Sequence, residues 1–375
     1  MSAAPGHPPI VVLLGGPSAE HDVSVVSGTA IADALRDRGD DVREVLIDLA
    51  GGWWWLPRDH RRGERPPAAY DDPSTLGAEG PLPAGAAVDR IAAGRPQPLV
   101  FIALHGPFGE DGTVQAMLEA VGLAYTGSGV TASALGMDKA VFKRLARGIG
   151  LPVVDWLEVR AARWRSDPAA VLAELEAFGR GTETERLMVK PANLGSSVGI
   201  TLVHDPSELP AALDLAFRHD EVALAEAYLA GARDLEVSVI GNDHARLELY
   251  GPGEILAGHE FYDYEAKYTP GLSETTVRAE IPAKMRATIL KISRDAYRAI
   301  GAEGFARVDF LVRGDDVFLS EINTIPGFTP ISLFPTLPAD GNYTFGDVCA
   351  RAVDLGLERH AARARRRLTP ADLPR

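Results

Sequence analysis

Two short runs near the C-terminal end constrain the fold of this chain more than any others. They are Phe305-Ala306-Arg307-Val308-Asp309-Phe310-Leu311-Val312 and Val317-Phe318-Leu319-Ser320-Glu321-Ile322-Asn323-Thr324, separated by Arg313-Gly314-Asp315-Asp316. Both alternate in polarity and are rich in β-branched and aromatic residues, which predicts a hairpin closed at the glycine. Side chains two apart on a strand share a face, so Arg307 goes with Asp309 and Glu321 with Asn323. A three-residue loop, Gly314 to Asp316, sets Asp309 opposite Glu321. Two carboxylates and an amide carbonyl on one surface form a hard-oxygen set of the kind that Mg²⁺ takes. A solvated hairpin with an Arg-Asp pair has the same pattern, so the rest of the chain must decide.

At 375 residues there is length for two or three cores. A net charge of -14 argues against a nucleic-acid or anionic-membrane partner. Cys349 is the only cysteine, which excludes an internal disulfide and a cysteine-based metal site. The first residues lack a signal-peptide pattern and no apolar run approaches a membrane span, so the expected compartment is the cytoplasm. Only six of the 38 basic residues are lysines, at 139, 143, 190, 267, 284 and 291. Three of them, Lys139, Lys190 and Lys267, lie in motifs. A compact ammonium suits a phosphate oxygen where a planar guanidinium does not fit.

Taken in order, Ile10–Leu14 is an apolar run ending in Gly15-Gly16, the pattern of a buried parallel strand entering a tight turn. Ser18 is a candidate N-cap for a helix through Leu35, with Glu20 in its first turn. There is no G-x-G-x-x-G dinucleotide fingerprint. Val42–Leu49 and the tryptophans 53–55 read as strands, whereas 57–98, rich in Pro, Gly, Ala and Arg, reads mostly as loop. Leu99–Leu104 is another buried strand, with His105 in the Gly-rich loop at its C-terminal end, where open α/β sheets gather ligands. Met137-Asp138-Lys139 opens a helix that contains Lys143. In 188–200, Lys190 and a loop with Ser196 and Ser197 between glycines can wrap a triphosphate, without a Walker A Gly-Lys pair. Val222–Leu229 reads as an edge strand leading to a hinge, its backbone and Glu226 available to an adenine. Asp234 and Glu236 follow two apart. The polar, aromatic segment 261–269 suits a lid, and Pro326-Gly327 suits a turn with N–H groups facing an anion. The basic tail from Arg359 reads as a solvated helix end.

Together these motifs, over 10–29, 99–143, 187–200, 226–241, 261–268 and 304–335, resemble the D-alanine–D-alanine ligase family of the ATP-grasp superfamily. The resemblance implies a three-domain α/β and α+β fold. It has a Rossmann-like N-terminal domain (1–127), a central ATP-grasp subdomain (128–230) and a C-terminal one carrying hairpin and lid (231–375). The expected reaction joins two D-alanines at the expense of ATP, through a D-alanyl phosphate, for peptidoglycan precursor synthesis. By position, Asp309, Glu321 and Asn323 resemble ligands of two Mg²⁺ (or Mn²⁺) ions. Lys139, Lys190, Ser197, Glu226, Leu229, Asp234 and Lys267 resemble nucleotide-binding residues. Arg307 and the N–H of Gly327 resemble oxyanion stabilisers. Glu20 and His105 match the first D-alanine's site, and Ser332 and Leu333 the second's. Ser196 and Tyr268 resemble a hydroxyl pair that ties the lid to Glu20 and keeps water from an acylphosphate. A homodimer is expected.

Tyrosine at 268 accompanies dipeptide formation in the family; the alternatives are a D-alanine–D-lactate ligase or a nucleotide binder without chemistry. Asp234 departs from a common ribose-binding Glu, and Ala227 from a common Lys. The region 57–98 is longer than usual.

Overall fold

The computed structural model describes residues 6–195, 197–257 and 273–365. Its strands form three sheets. The first is six-stranded, ordered β4-β3-β2-β1-β5-β6, from β1 (Ile10–Gly15), β2 (Val42–Ile47), β3 (Trp53–Trp55), β4 (Glu79–Leu82), β5 (Leu99–Ile102) and β6 (Ala124–Tyr125). β1 pairs in parallel with β2 and β5, and β5 with β6. β1 is buried along its whole length, which is why its sequence is apolar without alternation. The helix His21–Asp37 covers one face, and the C-terminal helix Phe345–Ala364 adds Val348, Cys349, Ala352, Val353 and Leu355 to the same core.

The second sheet is ordered β7-β10-β8-β9, from β7 (Trp156–Arg160), β8 (Leu187–Pro191), β9 (Thr201–Val203) and β10 (Val222–Ala227). One face, with Val189, Ala223 and Ala225, packs on the helices Pro168–Arg180 and Leu209–Ala216. The other carries Lys190, Leu224 and Glu226 and meets Ala140 of the helix Lys139–Gly148. β10 lies between β7 and β8, so it is not the edge strand expected. Its ladder groups are spent, and Ala227 and Tyr228 donate to Asp155 and Arg186 carbonyls.

The third sheet is ordered β13-β12-β11-β14-β15, from β11 (Arg233–Ile240), β12 (Glu248–Ala257), β13 (Ser273–Thr276), β14 (Phe305–Arg313) and β15 (Asp316–Asn323). Leu235, Val237, Val308, Phe310 and Val312 turn one face onto the helix Ala283–Ala299, and Ala132, Phe142 and Ala146 join that core. The opposite face is polar.

Several expectations need correction. The hairpin turn has two residues, because Arg313 pairs with Asp316. Asp309 still faces Glu321, because the pairing shifts by one between Phe310↔Leu319 and Asp309↔Glu321 and leaves Ser320 as a bulge. Ser18 does not cap the first helix. Glu20 occupies the N-cap position without a capping bond, while Ser18 Oγ accepts from the Glu20 N–H and donates to the His105 carbonyl. The stretch 57–98 contains β4 and the helix Ala84–Ala92, whose Ala87, Val88 and Ile91 are buried. Arg359 is not solvated: it is 3 % exposed, donates to the hydroxyl and carbonyl of Tyr125, and stacks on that ring at 3.9 Å. Among the described residues no helix is long and apolar enough to cross a membrane.

Candidate active site

Alternation on β14 and β15 puts Arg307, Asp309, Glu321 and Asn323 on the polar face of the third sheet. Arg307 Nε and Nη2 donate to the two oxygens of Asp309 at 2.8 and 2.7 Å. Glu236 of β11 pairs with Asp309 in the ladder, and its carboxylate lies 3.2 Å from Arg307 Nε. Burial alone would lower the Arg307 pKa. Asp309 first, then Glu236, outweigh that and raise it well above its usual value. The Asn323 amide nitrogen is placed 2.9 Å from Asp309.

The helix Lys139–Gly148 delivers the next layer. Asp138 caps it by accepting from the Val141 N–H. Lys139 Nζ donates to the Leu194 carbonyl at 2.8 Å and lies 3.1 Å from Glu321. Burial opposes its charge, but Glu321, with help from Glu20 and Glu110, raises its pKa above the usual lysine value. One turn on, Lys143 has no exposed surface and lies 3.1 Å from Glu226, which is also 2.9 Å from Lys190. Burial would push the Glu226 carboxyl up. Lys143 and Lys190 outweigh it and hold the group below the usual carboxylate range.

The first sheet contributes Glu20, which is 5 % exposed. Its carboxylate lies where only glycines leave room: a methyl on Gly195 would come within 2.8 Å of it, and one on Gly106 within 2.6 Å. Gly106, moreover, adopts φ +75°. Glu20 at the start of the first helix, Gly195 in the loop after β8, Lys139 at the start of its helix and Glu321 of β15 thus converge on one cleft. His105 is fully engaged: Nδ1 lies 3.2 Å from the Ile325 carbonyl and Nε2 3.0 Å from Ser27 Oγ.

The segment after β15 is anchored by rings. Phe328 packs 5.7 Å from Phe101 of the first sheet, 5.7 Å from Phe305 of the third and 5.2 Å from Phe334. A buried ring of this size contributes about 1.5–3 kcal/mol, which fixes the neighbouring Gly327 turn. Ser332 Oγ lies 2.7 Å from Thr329 Oγ1 and accepts from the Thr329 N–H, folded back towards Gly327. Leu333 packs with Ile255 and Leu337.

Of the remaining expected site residues, Ser197 holds a left-handed φ of +58° in the loop after β8. Asp234 shares its sheet face with Glu236 and Arg307. Leu229 lies in the hinge after β10, its carbonyl accepting from the Ala232 N–H. Ser196, Lys267, Tyr268 and the expected lid lie outside the described residues. Lys143 and Glu236 were not singled out as site residues from the sequence. The scarcity of lysine pointed to the first, and its spacing from Asp234 to the second.

Among the described residues no three of His, Cys, Asp and Glu gather as a metal cluster. The chemistry of Asp309, Glu321 and Asn323 is nevertheless that of a Mg²⁺ site: hard oxygens on one face, the two acids directly opposed.

Two antiparallel sheets closing lysines and carboxylates around one cleft, beside a Rossmann-like sheet, define an ATP-grasp enzyme. Residues 9–128 match the family model of the D-ala D-ala ligase N-terminus, and 145–354 that of the D-ala D-ala ligase C-terminus. Relatives include the D-alanine--D-alanine ligase of Heliobacterium modesticaldum, 40 % identical over 98 % of both chains. That of Kineococcus radiotolerans is 38 % identical over 96 % of this chain and 99 % of its own. Among solved structures, the D-alanine-D-alanine ligase from Coxiella burnetii has a TM-score of 0.75 at 27 % identity, covering 96 % of this chain and 97 % of that one. VanG D-Ala:D-Ser ligase from Enterococcus faecalis has a TM-score of 0.73 at 28 % identity, covering 93 % and 99 %. The chain belongs to the D-alanine–D-alanine ligase family, whose members are ATP-dependent ligases.

Proposed function

We propose that this chain ligates two D-alanines to D-alanyl-D-alanine for peptidoglycan synthesis. The observation that carries this reading, beside family membership, is the meeting of Glu20, Lys139, Arg307 and the Asp309-Glu321-Asn323 face in one cleft. Glu20, buried and ringed by glycines, binds the ammonium of the first D-alanine, with His105 beside it. The carboxylate of that D-alanine attacks the γ-phosphorus of ATP, the P–O bond to ADP breaks, and a D-alanyl phosphate forms. The amine of the second D-alanine then attacks the acyl carbon; the C–N bond forms and phosphate leaves. Arg307 and the Gly327 N–H stabilise the oxyanion of that tetrahedral stage, where aimed donors act most strongly. Ser332 binds the second substrate's carboxylate, and Leu333 packs beside it.

Lys139, Lys190 and Ser197 bind phosphates, with Lys267 reaching them from the lid. Glu226, Leu229 and Asp234 bind the nucleoside. Asp309, Glu321 and Asn323 would hold Mg²⁺ (or Mn²⁺), which supplies charge neutralisation for the transferred phosphoryl group. Ser196 and Tyr268 tie the lid to Glu20. The reading also places the reaction in the cytoplasm of a cell that builds peptidoglycan, with a homodimer as the assembly. The three sheets support the division at 1–127, 128–230 and 231–375, with the helix Lys139–Gly148 leaning on the third core and the C-terminal helix on the first.

The test is ADP release with D-alanine alone and with D-alanine paired with D-serine, D-lactate or L-alanine. Turnover with D-alanine alone is expected. Silence until D-lactate or D-serine is added would transfer the chain to an ester-forming or D-serine ligase. Silence throughout, with nucleotide bound, would make it a binder without chemistry.

A further inference from the structure

Lys139 and Lys143 stand four residues apart on one side of their helix, yet reach different sheets: Lys139 touches Glu321 of the third, Lys143 touches Glu226 of the second. Lys143 Nζ also donates to the Val154 carbonyl at 3.3 Å and lies 5.3 Å from the Trp156 ring centre. Lys143 and Lys190 approach the same oxygen, Oε1, of Glu226. An apolar side chain of similar volume would fill the position of Lys143 without the cost of burying an ammonium. The charge is therefore the feature to explain. It is spent on one oxygen of the carboxylate that our reading places at the base of the nucleotide.

We propose that Lys143 is a positioning residue for nucleotide recognition. Together with Lys190 it fixes Glu226 Oε1, so that the second oxygen is left as the acceptor for the exocyclic amino group of adenine. Guanine presents a carbonyl at that position and would face the carboxylate with like polarity. A site built around a fixed acceptor rejects a base that lacks the donor, so Lys143 sets the preference of ATP over GTP. This rests on the placement of Glu226 at the base, and the two can be tested apart.

The experiment uses the full chain and its variants Lys143→Met, Glu226→Gln and the pair Lys143→Met/Glu226→Gln. ADP and GDP affinities are measured by calorimetry, and KM and kcat for ATP and GTP by nucleoside diphosphate release. Lys143→Met is expected to weaken ADP binding and raise KM for ATP about tenfold, to shrink the preference for ATP over GTP, and to leave kcat within about threefold. Combined with Glu226→Gln it should add nothing, because it acts through that carboxylate. If Glu226→Gln weakens ADP but Lys143→Met leaves affinity and preference unchanged, the role of Lys143 is overturned while that of Glu226 stands. If Glu226→Gln itself leaves nucleotide preference unchanged, the placement of Glu226 fails, and the proposal with it. Should Lys143→Met not fold, the double variant against Glu226→Gln decides: equal ADP affinity supports the proposal, and a further loss of threefold or more overturns it.

Discussion

Arg307 grips both oxygens of Asp309 in a two-point bond, although the two residues are only two positions apart on one strand. The guanidinium that our reading aims at the reaction's oxyanion is thereby held beside a candidate metal ligand, with the Glu236 carboxylate 3.2 Å from the same Nε. Removing it should affect chemistry more than binding. Arg307→Ala is expected to lower kcat by about 10²–10³-fold, the scale of a lost oxyanion donor, with ADP affinity within a few-fold of the parent. Single-turnover phosphate release and calorimetry with ADP measure the two separately. Equal turnover in variant and parent would remove Arg307 from the mechanism.

Gly106 and Gly195 enclose the Glu20 carboxylate so closely that a methyl group on either must displace it. Gly195→Ala should raise KM for D-alanine by about tenfold or more while ADP affinity holds, since about 1.4 kcal/mol lost from an ammonium contact is a factor of ten. Gly85→Ala, where nothing lies within 4 Å of the added methyl, is the control and should behave as the parent. Steady-state kinetics at varied D-alanine provide the readout.

The bulge at Ser320 carries Glu321 and Asn323 onto the face of Asp309. Deleting Ser320 would remove the bulge and leave Leu319, Glu321, Ile322 and Asn323 in plain alternation, with Glu321 still opposite Asp309 and Ile322, now 1 % exposed, still in the core. Activity should therefore survive within about tenfold. Deleting Glu321 instead leaves Ser320 opposite Asp309 and removes one of the two opposed acids, and should abolish activity. Steady-state ADP release compares the two; a Ser320 deletion as inactive as the Glu321 deletion would show that the bulge does more than set the face.

The native pKa of Glu226 is held below its ordinary value of 4.5 by Lys143 and Lys190. A depressed carboxylate stabilises the fold fully above its unfolded pKa, and that stability is lost as pH falls through the native pKa. The difference in Tm between the parent and Glu226→Gln should therefore be constant from pH 8 to about pH 5 and shrink below the ordinary value of 4.5. A difference that instead grew on acidification would show that Glu226 is not held ionised.

What the sequence determined by itself was local and periodic. The uninterrupted apolar run of β1 and the alternation of β14 needed only neighbouring residues to be read, and so did the sharing of a face by Arg307 with Asp309. The order of the motifs along the chain sufficed for the family. The tertiary structure decided whatever depends on a partner distant in the chain. The doubled polar step Ser320-Glu321 interrupts the alternation, but which of the two residues is left out of the ladder is fixed only when both strands are paired. Arg359 looks like any solvated arginine until Tyr125, 234 residues away, is placed beneath it. The helix Ala84–Ala92 hides among prolines and glycines because its short apolar stripe gains stability only against the first sheet. Lys143 acquires its meaning from Glu226 and Lys190, which lie on neighbouring strands of another sheet. A charge in water needs no particular neighbour, whereas a buried one must be paired, and the pairing is made by the fold rather than by adjacency in the chain.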